Sequence, residues 1–184
     1  MSVFTSARTA SRSDATSLAA SARSGSDLGL LVLRWAVGLT MAAHGSQKLF
    51  GWFGGGGLDG TEAFFASSGY TAAQTMAVVA ALTEVLCGLG LAVGLLTPLA
   101  GAGVVGVMLN AIAVKWGSGF FGPNGIEFEL LLLVAAVSLT LAGPGRFAAD
   151  RLLPGLRTHR LSHGLAAVAL GAAAAGIVLV TLRS

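Results

Sequence analysis

The sequence predicts an all-α fold: a polytopic membrane bundle of four core transmembrane helices plus a fifth, C-terminal helix. Hydrophobic residues make up 54% of the 184 residues and charged residues only 10%, whereas a soluble domain carries about 25% charged residues. The mean hydropathy is +0.80. The apolar residues also occur in runs of roughly 20, which is the length that crosses a bilayer as a helix.

The first predicted span covers residues 28–50 and follows a segment, residues 1–27, that is rich in Ser, Ala and Arg. Because this segment holds no apolar run, we expect a disordered cytoplasmic tail. After a glycine-rich interfacial loop, the second and third spans cover about 75–96 and 99–116, joined by a turn at Thr97 and Pro98. Within the second span, Gly90 and Gly94 form a GxxxG pair, which predicts close packing against a neighbouring helix.

The fourth predicted span covers about 124–142 and stops at the Gly-Pro-Gly sequence 143–145. The four-helix membrane domain therefore extends over 28–150, and a basic loop follows over 151–162. The fifth span and the C-terminus occupy 163–184. Arginines cluster in the tail and in this loop, which predicts that both are cytoplasmic: Arg8, Arg12, Arg23, Arg146, Arg151, Arg157 and Arg160. The loops after the first and third spans then lie outside.

Polar side chains from four spans lie at similar depth, in the outer half of the predicted bundle. Counting about 1.5 Å per residue from the outer ends places the following residues there: His44, Lys48, Glu84, Asn110, Lys115 and Glu127. Ionisable groups at membrane depth are costly unless they are paired or face a cavity. We therefore expect an outward-opening polar pocket, with Lys115 and Glu127 paired across the third loop. Arg34 alone belongs to the inner half, and we expect it to snorkel to the headgroups.

The types of these residues suggest a chemistry. His44 and Lys48 share a helix face and can hydrogen-bond the oxygen atoms of a small molecule, and imidazole exchanges protons near neutral pH. Glu84 can then carry a proton as the second catalytic group, while Lys48, Asn110, Lys115 and Glu127 bind the substrate. The alternative is that His44 and Glu84 make structural polar contacts between helices, which are common in membranes.

The sequence gives little support for a cysteine-based redox site, a metal site or a nucleic-acid-binding surface. The single cysteine, Cys87, excludes an internal disulfide and a cysteine-ligated cluster. Only His44 among the histidines lies at membrane depth, so we predict no metal site. The formal charge is +3, but its arginines lie in tails and loops, so the charge indicates membrane orientation rather than nucleic-acid binding.

The ordered motifs of the chain resemble those of the DoxX family of bacterial membrane proteins over residues 28–150. They are HGSQKLFG in the first span, Glu84 followed by glycines and a Thr-Pro turn, then GFFGPNGIEFELLLL and GPGR. The polar positions of that pattern are held here by Arg34, His44, Lys48, Glu84 and Glu127. Lys115 stands where many members carry a histidine, which is a departure from the pattern.

The resemblance implies a multi-pass protein of the bacterial inner membrane that serves a redox system with a partner protein. We expect it to bind a quinone or a small oxidisable substrate in the outer pocket, with no covalently bound cofactor. Whether the chain is an oxidoreductase subunit in its own right stays open, as does association with a second copy. The alternatives are a non-catalytic scaffold for partner oxidoreductases and a transporter of a small solute or protons.

Overall fold

The computed structural model describes residues 3–154, 156 and 158–183, with side chains described from residue 21 onward. This part of the chain confirms the all-α prediction, since it holds six α-helices, joined by turns, loops and short 3₁₀ helices, and no β-strand. The helices are α1 (Val3–Phe50), α2 (Gly57–Ser67), α3 (Ala73–Val93), α4 (Thr97–Lys115), α5 (Glu127–Ala142) and α6 (Leu161–Leu182).

Four helices of the described chain are long and apolar enough to cross a membrane, so the protein is a multi-pass membrane protein. They are α1 from Ser21, α3, α4 with the turn after it, and α6. The fourth predicted span corresponds to α5, which has 16 residues and a length of about 24 Å. This is shorter than a bilayer core of about 30 Å, and α5 packs against α4, α6 and α1 within the bundle.

Two segments are more helical than the sequence suggested. We expected disorder over 1–27, but α1 begins at Val3 rather than at residue 28. Alanine and arginine, which are frequent in that segment, are strong helix formers and allow the helix to continue upstream. The expected glycine-rich loop contains α2, because Thr61 and Phe65 are buried there and their burial supports a helix that local propensity alone does not predict.

The helices α1, α3, α4 and α5 form a closed ring of four. In this ring α1 packs on α3, α3 on α4, α4 on α5, and α5 back on α1. The core between them is apolar and includes Met41, Leu91, Val104 and Leu139. Outside the ring, α6 packs on α4 and α5, and α2 lies against α1 and α3 near one end. The fifth predicted span is therefore an outer wall.

Glycines allow α1 and α3 to approach closely, but not the predicted pair. A Cβ on Gly38 would lie 2.5 Å from the Gly88 carbonyl oxygen, and one on Gly45 would lie 2.6 Å from the Val85 nitrogen. Gly94 instead ends α3 in the left-handed conformation, with φ at +75°. The predicted GxxxG face of Gly90 and Gly94 is therefore wrong for Gly94, which is a helix cap.

Arg34 is buried rather than snorkelling, which corrects the sequence-based expectation. It is 1% exposed, and its guanidinium donates hydrogen bonds to the carbonyl oxygens of Pro144 and, at 2.5 Å, Phe147. These carbonyls belong to the loop after α5. Because buried backbone carbonyls need hydrogen-bond donors, Arg34 serves as an internal clamp for that loop.

Asp150 completes this end of the bundle. Its carboxylate is 1% exposed and accepts hydrogen bonds from the backbone nitrogens of Leu96 and Thr97, at 2.6 and 3.0 Å. These N–H groups lie at the start of α4, where a helix has no acceptors of its own. The loop after α5 is thus fixed both to α1 by Arg34 and to α4 by Asp150. We call this the Arg34 end, and the opposite end of the bundle the pocket end.

Candidate ligand site at the pocket end

An ion pair joins α1 to α3 at the pocket end. The Lys48 ammonium lies 2.5 Å from both carboxylate oxygens of Glu84. Glu84 is 1% exposed, whereas the Lys48 side chain is about one-third exposed. The sequence placed these residues in the outer half of the bundle on two helices, and the structure brings them into direct contact. A buried carboxylate needs such a partner because its desolvation costs several kcal/mol.

A second ion pair joins α4 to α5. The Lys115 ammonium lies 2.6 Å from Oε1 of Glu129, and Glu129 is buried. Glu127, the expected partner, is exposed, so the predicted Lys115–Glu127 pair is wrong. Residues two apart on a helix point about 200° away from each other, so only one of these glutamates can face the bundle. The second oxygen of Glu129, Oε2, is buried without a hydrogen-bond partner among the described residues.

Both ion pairs border a pocket of about 440 Å³. Its floor is α4, its walls are α3 and α6, and α2 contributes Phe64 and Phe65 at one end. The charged groups of the two ion pairs lie close together in this lining, and most of the remaining lining is apolar. The polar lining residues are Lys48, Tyr70, Thr83, Glu84, Asn110, Lys115 and Glu129. The pocket follows α4 from Ala102 to Lys115, a distance of about 20 Å.

The pocket opens sideways, between α3 and α6. Val79 of α3 and Ala174 of α6 both line it and both are exposed on the outer surface of the bundle. In a membrane this surface faces the acyl chains. The arrangement therefore gives a ligand a lateral route from the lipid phase, with the ion pairs beyond it.

Asn110 and Tyr70 add neutral polar groups to the pocket. The Tyr70 hydroxyl donates to Oδ1 of Asn110 at 3.2 Å, and the Asn110 amide donates to the Gly106 carbonyl at 3.0 Å. Burial raises the pKa of Tyr70, and the nearby charge of Arg183 opposes that shift with a smaller effect. Tyr70 was not among the predicted site residues, although it is the only tyrosine of the chain and stands just before a predicted span.

Arg183 fixes the loop that carries Tyr70. Its guanidinium donates to the carbonyls of Ser68 and Ala113, at 3.1 and 3.0 Å. The backbone nitrogen of Thr71 donates to the Leu182 carbonyl at 2.9 Å. The C-terminal end of α6 thereby holds the α2–α3 loop against α4, which keeps the pocket end assembled.

His44 lies beside the pocket rather than in it. It lines a second, smaller cavity of about 80 Å³ between α1, α3, α4 and α5. Its Nδ1 is 2.9 Å from the Thr40 carbonyl oxygen, so a neutral ring carries its proton there and leaves Nε2 as an acceptor. Its ring centroid is 5.5 Å from that of Phe128.

Three charged residues connect the two cavities. Lys48, Glu84 and Glu129 line both of them. The structure thus groups five predicted residues around one junction: His44, Lys48, Glu84, Asn110 and Lys115. It leaves out Glu127, which lines neither cavity, and it adds Glu129 and Tyr70. Among the described residues, no group of three or more His, Cys, Asp or Glu side chains is placed to hold a metal ion.

The part of the chain that carries most of these polar residues is similar to a known protein family. Residues 29–116 match the family model described as DoxX. Over these residues the chain is similar to the DoxX family. The match runs from α1 through α4 and includes six of the site residues, whereas Glu129 lies beyond it, in α5. The same comparison with curated proteins and with solved structures finds no match.

Proposed function

We propose that this protein, which is similar to the DoxX family over residues 29–116, binds a quinone, or a small oxidisable molecule of similar shape, as the membrane subunit of a redox system in the bacterial inner membrane. The observation that carries the proposal is the form of the large pocket. It combines a long apolar groove, open to the lipid phase, with one polar end built from two ion pairs. A quinone has the same division into a polar ring and an apolar tail.

The charge of the pocket favours a neutral ligand. Its polar end contains two lysines and two glutamates, and each lysine is already paired with a glutamate. An inorganic anion that entered the pocket would bring an unpaired charge into a site of low dielectric, which is costly. A quinone carries no charge, and its two carbonyl oxygens need only hydrogen-bond donors. Lys48, Lys115 and Asn110 supply N–H donors on the lining.

The structure changes the role that we assign to His44. Because His44 lines only the small cavity, it does not contact a ligand in the large pocket directly. The small cavity has about 80 Å³, and water occupies about 30 Å³ per molecule, so a few waters can connect His44 to the carboxylates of Glu84 and Glu129. In our proposal, protons reach the ligand by this route, and the electrons pass to or from a partner protein.

Binding of decylubiquinone tests the proposal. Radiolabelled decylubiquinone is added to the purified protein in nanodiscs, and the specific signal is the part displaced by unlabelled decylubiquinone. The variant Ala174→Phe places a ring at the mouth of the pocket, and we expect it to weaken binding at least tenfold. Ala173→Phe is the matched control, because Ala173 is also exposed on α6 but does not line the pocket.

Two results would contradict the proposal. One is the absence of saturable binding to the unmodified protein. The other is an equal loss of binding in Ala173→Phe and Ala174→Phe, which would mean that the quinone only partitions onto the surface of α6. Without quinone binding, the scaffold function becomes the better account, and its test is whether a redox enzyme from the same membrane co-purifies with the chain in mild detergent.

A further inference from the structure

The two carboxylates at the junction of the cavities are in different states of hydrogen bonding. Both oxygens of Glu84 accept from the Lys48 ammonium at 2.5 Å. Glu129 has only one such contact, from Lys115 to Oε1. The whole residue is nine-tenths buried. Its Oε2 is buried too, yet this oxygen has no hydrogen-bond partner among the described residues. One strong acceptor at this junction is therefore unused by the protein.

The buried oxygen Oε2 of Glu129 would be stabilised by a hydrogen-bond donor from a ligand. Leaving a buried polar atom unpaired is unfavourable, and a carboxylate accepts hydrogen bonds without being able to donate them. The last torsion of a glutamate side chain is soft, so a small rotation can present Oε2 to either cavity. Neither lysine at the pocket end contacts Oε2 in this structure, since Lys115 donates to Oε1 and Lys48 to Glu84.

We propose that Glu129 is the specificity-determining residue of the large pocket and accepts a hydrogen bond from a hydroxyl group of the ligand. This proposal rests on the proposed function, and it names the form of the ligand that the site prefers. A quinol carries hydroxyl groups that can donate to Oε2 and at the same time accept from a lysine. A quinone offers acceptors alone and leaves Oε2 unpaired. The pocket therefore selects the reduced, hydroxyl-bearing ligand over the oxidised one.

The variant Glu129→Gln gives a directional test. Lysine is only a donor, so Lys115 will hold the amide oxygen of the new side chain. The amide nitrogen then occupies the place of Oε2 and presents donors instead of an acceptor. A quinone carbonyl can pair with this group, whereas a donating hydroxyl loses its acceptor. The preference for quinol should disappear or reverse.

The measurement is the ratio of dissociation constants for decylubiquinone and decylubiquinol in nanodiscs, with the quinol kept under anaerobic conditions. One hydrogen bond to a charged acceptor changes affinity by about tenfold or more. We expect the unmodified protein to bind the quinol at least tenfold more tightly and Glu129→Gln to lose that factor. Glu127→Gln is the matched control, because Glu127 lies in the same helical turn but is exposed and lines neither cavity.

The outcomes separate this proposal from the proposed function. If the unmodified protein binds both forms equally, or if Glu129→Gln keeps the original ratio, Glu129 is not the acceptor, although the pocket still binds quinones. If the unmodified protein binds neither form, both proposals are wrong.

A second measurement needs no variant and serves if Glu129→Gln does not fold. It compares 4-decylphenol with 4-decylanisole, which differ in that the phenol carries a donating hydroxyl and the anisole a methyl ether. The unmodified protein should bind the phenol about tenfold more tightly. Equal affinities would overturn the role of Glu129.

Discussion

Removal of Lys48 should destabilise the protein because it leaves a buried charge without its partner. Glu84 is 1% exposed and makes its two close contacts with the Lys48 ammonium. Breaking a buried ion pair on one side costs about 3–5 kcal/mol. The Lys48 side chain is about one-third exposed, so we take the lower end and expect Lys48→Met to lower the free energy of unfolding by about 3 kcal/mol.

The double variant Lys48→Met/Glu84→Gln removes both charges together. It should lose only about 1–1.5 kcal/mol, since a neutral pair of similar volume often replaces a buried ion pair at small cost. The double variant is then more stable than Lys48→Met alone. The assay is reversible unfolding in mixed micelles with increasing SDS, read by far-ultraviolet circular dichroism. Glu127→Gln, at an exposed glutamate, should change stability by less than about 0.5 kcal/mol.

A double variant that is no more stable than Lys48→Met would contradict this prediction. That result would mean that the carboxylate of Glu84 is not held by Lys48 in the folded protein. An unchanged stability in Lys48→Met would show that water solvates Glu84 well enough to replace the ammonium.

Three further predictions concern other parts of the structure. Gly94→Ala should destabilise the protein by about 1–2 kcal/mol or more, because φ is +75° and a Cβ would lie 2.5 Å from the Arg34 guanidinium. Gly60 has open space around it, so the control Gly60→Ala should not destabilise the protein in this way. Unfolding in SDS compares the two variants. Arg34→Met should cost about 2 kcal/mol or more by leaving loop carbonyls unpaired, whereas Arg146→Met, at an exposed side chain, should cost little in the same assay. Burial raises the pKa of Tyr70, so the absorbance of this single tyrosine near 295 nm should titrate at higher pH in the folded than in the unfolded chain. Stability is therefore lost as pH rises above about 10, where the unfolded chain loses the tyrosine proton first. An equal titration midpoint in both states would contradict the raised pKa.

The sequence predicted the helices and the depth of the polar groups because both follow from the apolar runs. Spans of about 20 apolar residues set the helix ends, and counting along them brought Lys48 and Glu84 to the same half of the bundle, where the structure pairs them. Depth along a helix is a local property of the sequence. It could therefore be read without knowledge of how the helices pack.

The rotation of each helix about its axis was harder to predict. Glu127 and Glu129 lie in the same first turn of α5, and the apolar sequence after them is nearly uniform, so no amphipathic pattern says which one faces inward. Packing of α5 on α4 and α6 decides this. The same reason explains why Arg34 was assigned to the membrane surface, although it is buried against the loop after α5.

The most direct test of the central claim is photoaffinity labelling with an azidoquinone in native membranes, followed by peptide mapping. The account predicts labelled positions on α3, α4 and α6 that line the large pocket, such as Thr83, Val107 and Ala174, and loss of the label when unlabelled decylubiquinone is added. Labelling confined to outward-facing positions such as Leu86, or labelling that unlabelled quinone does not reduce, would contradict it.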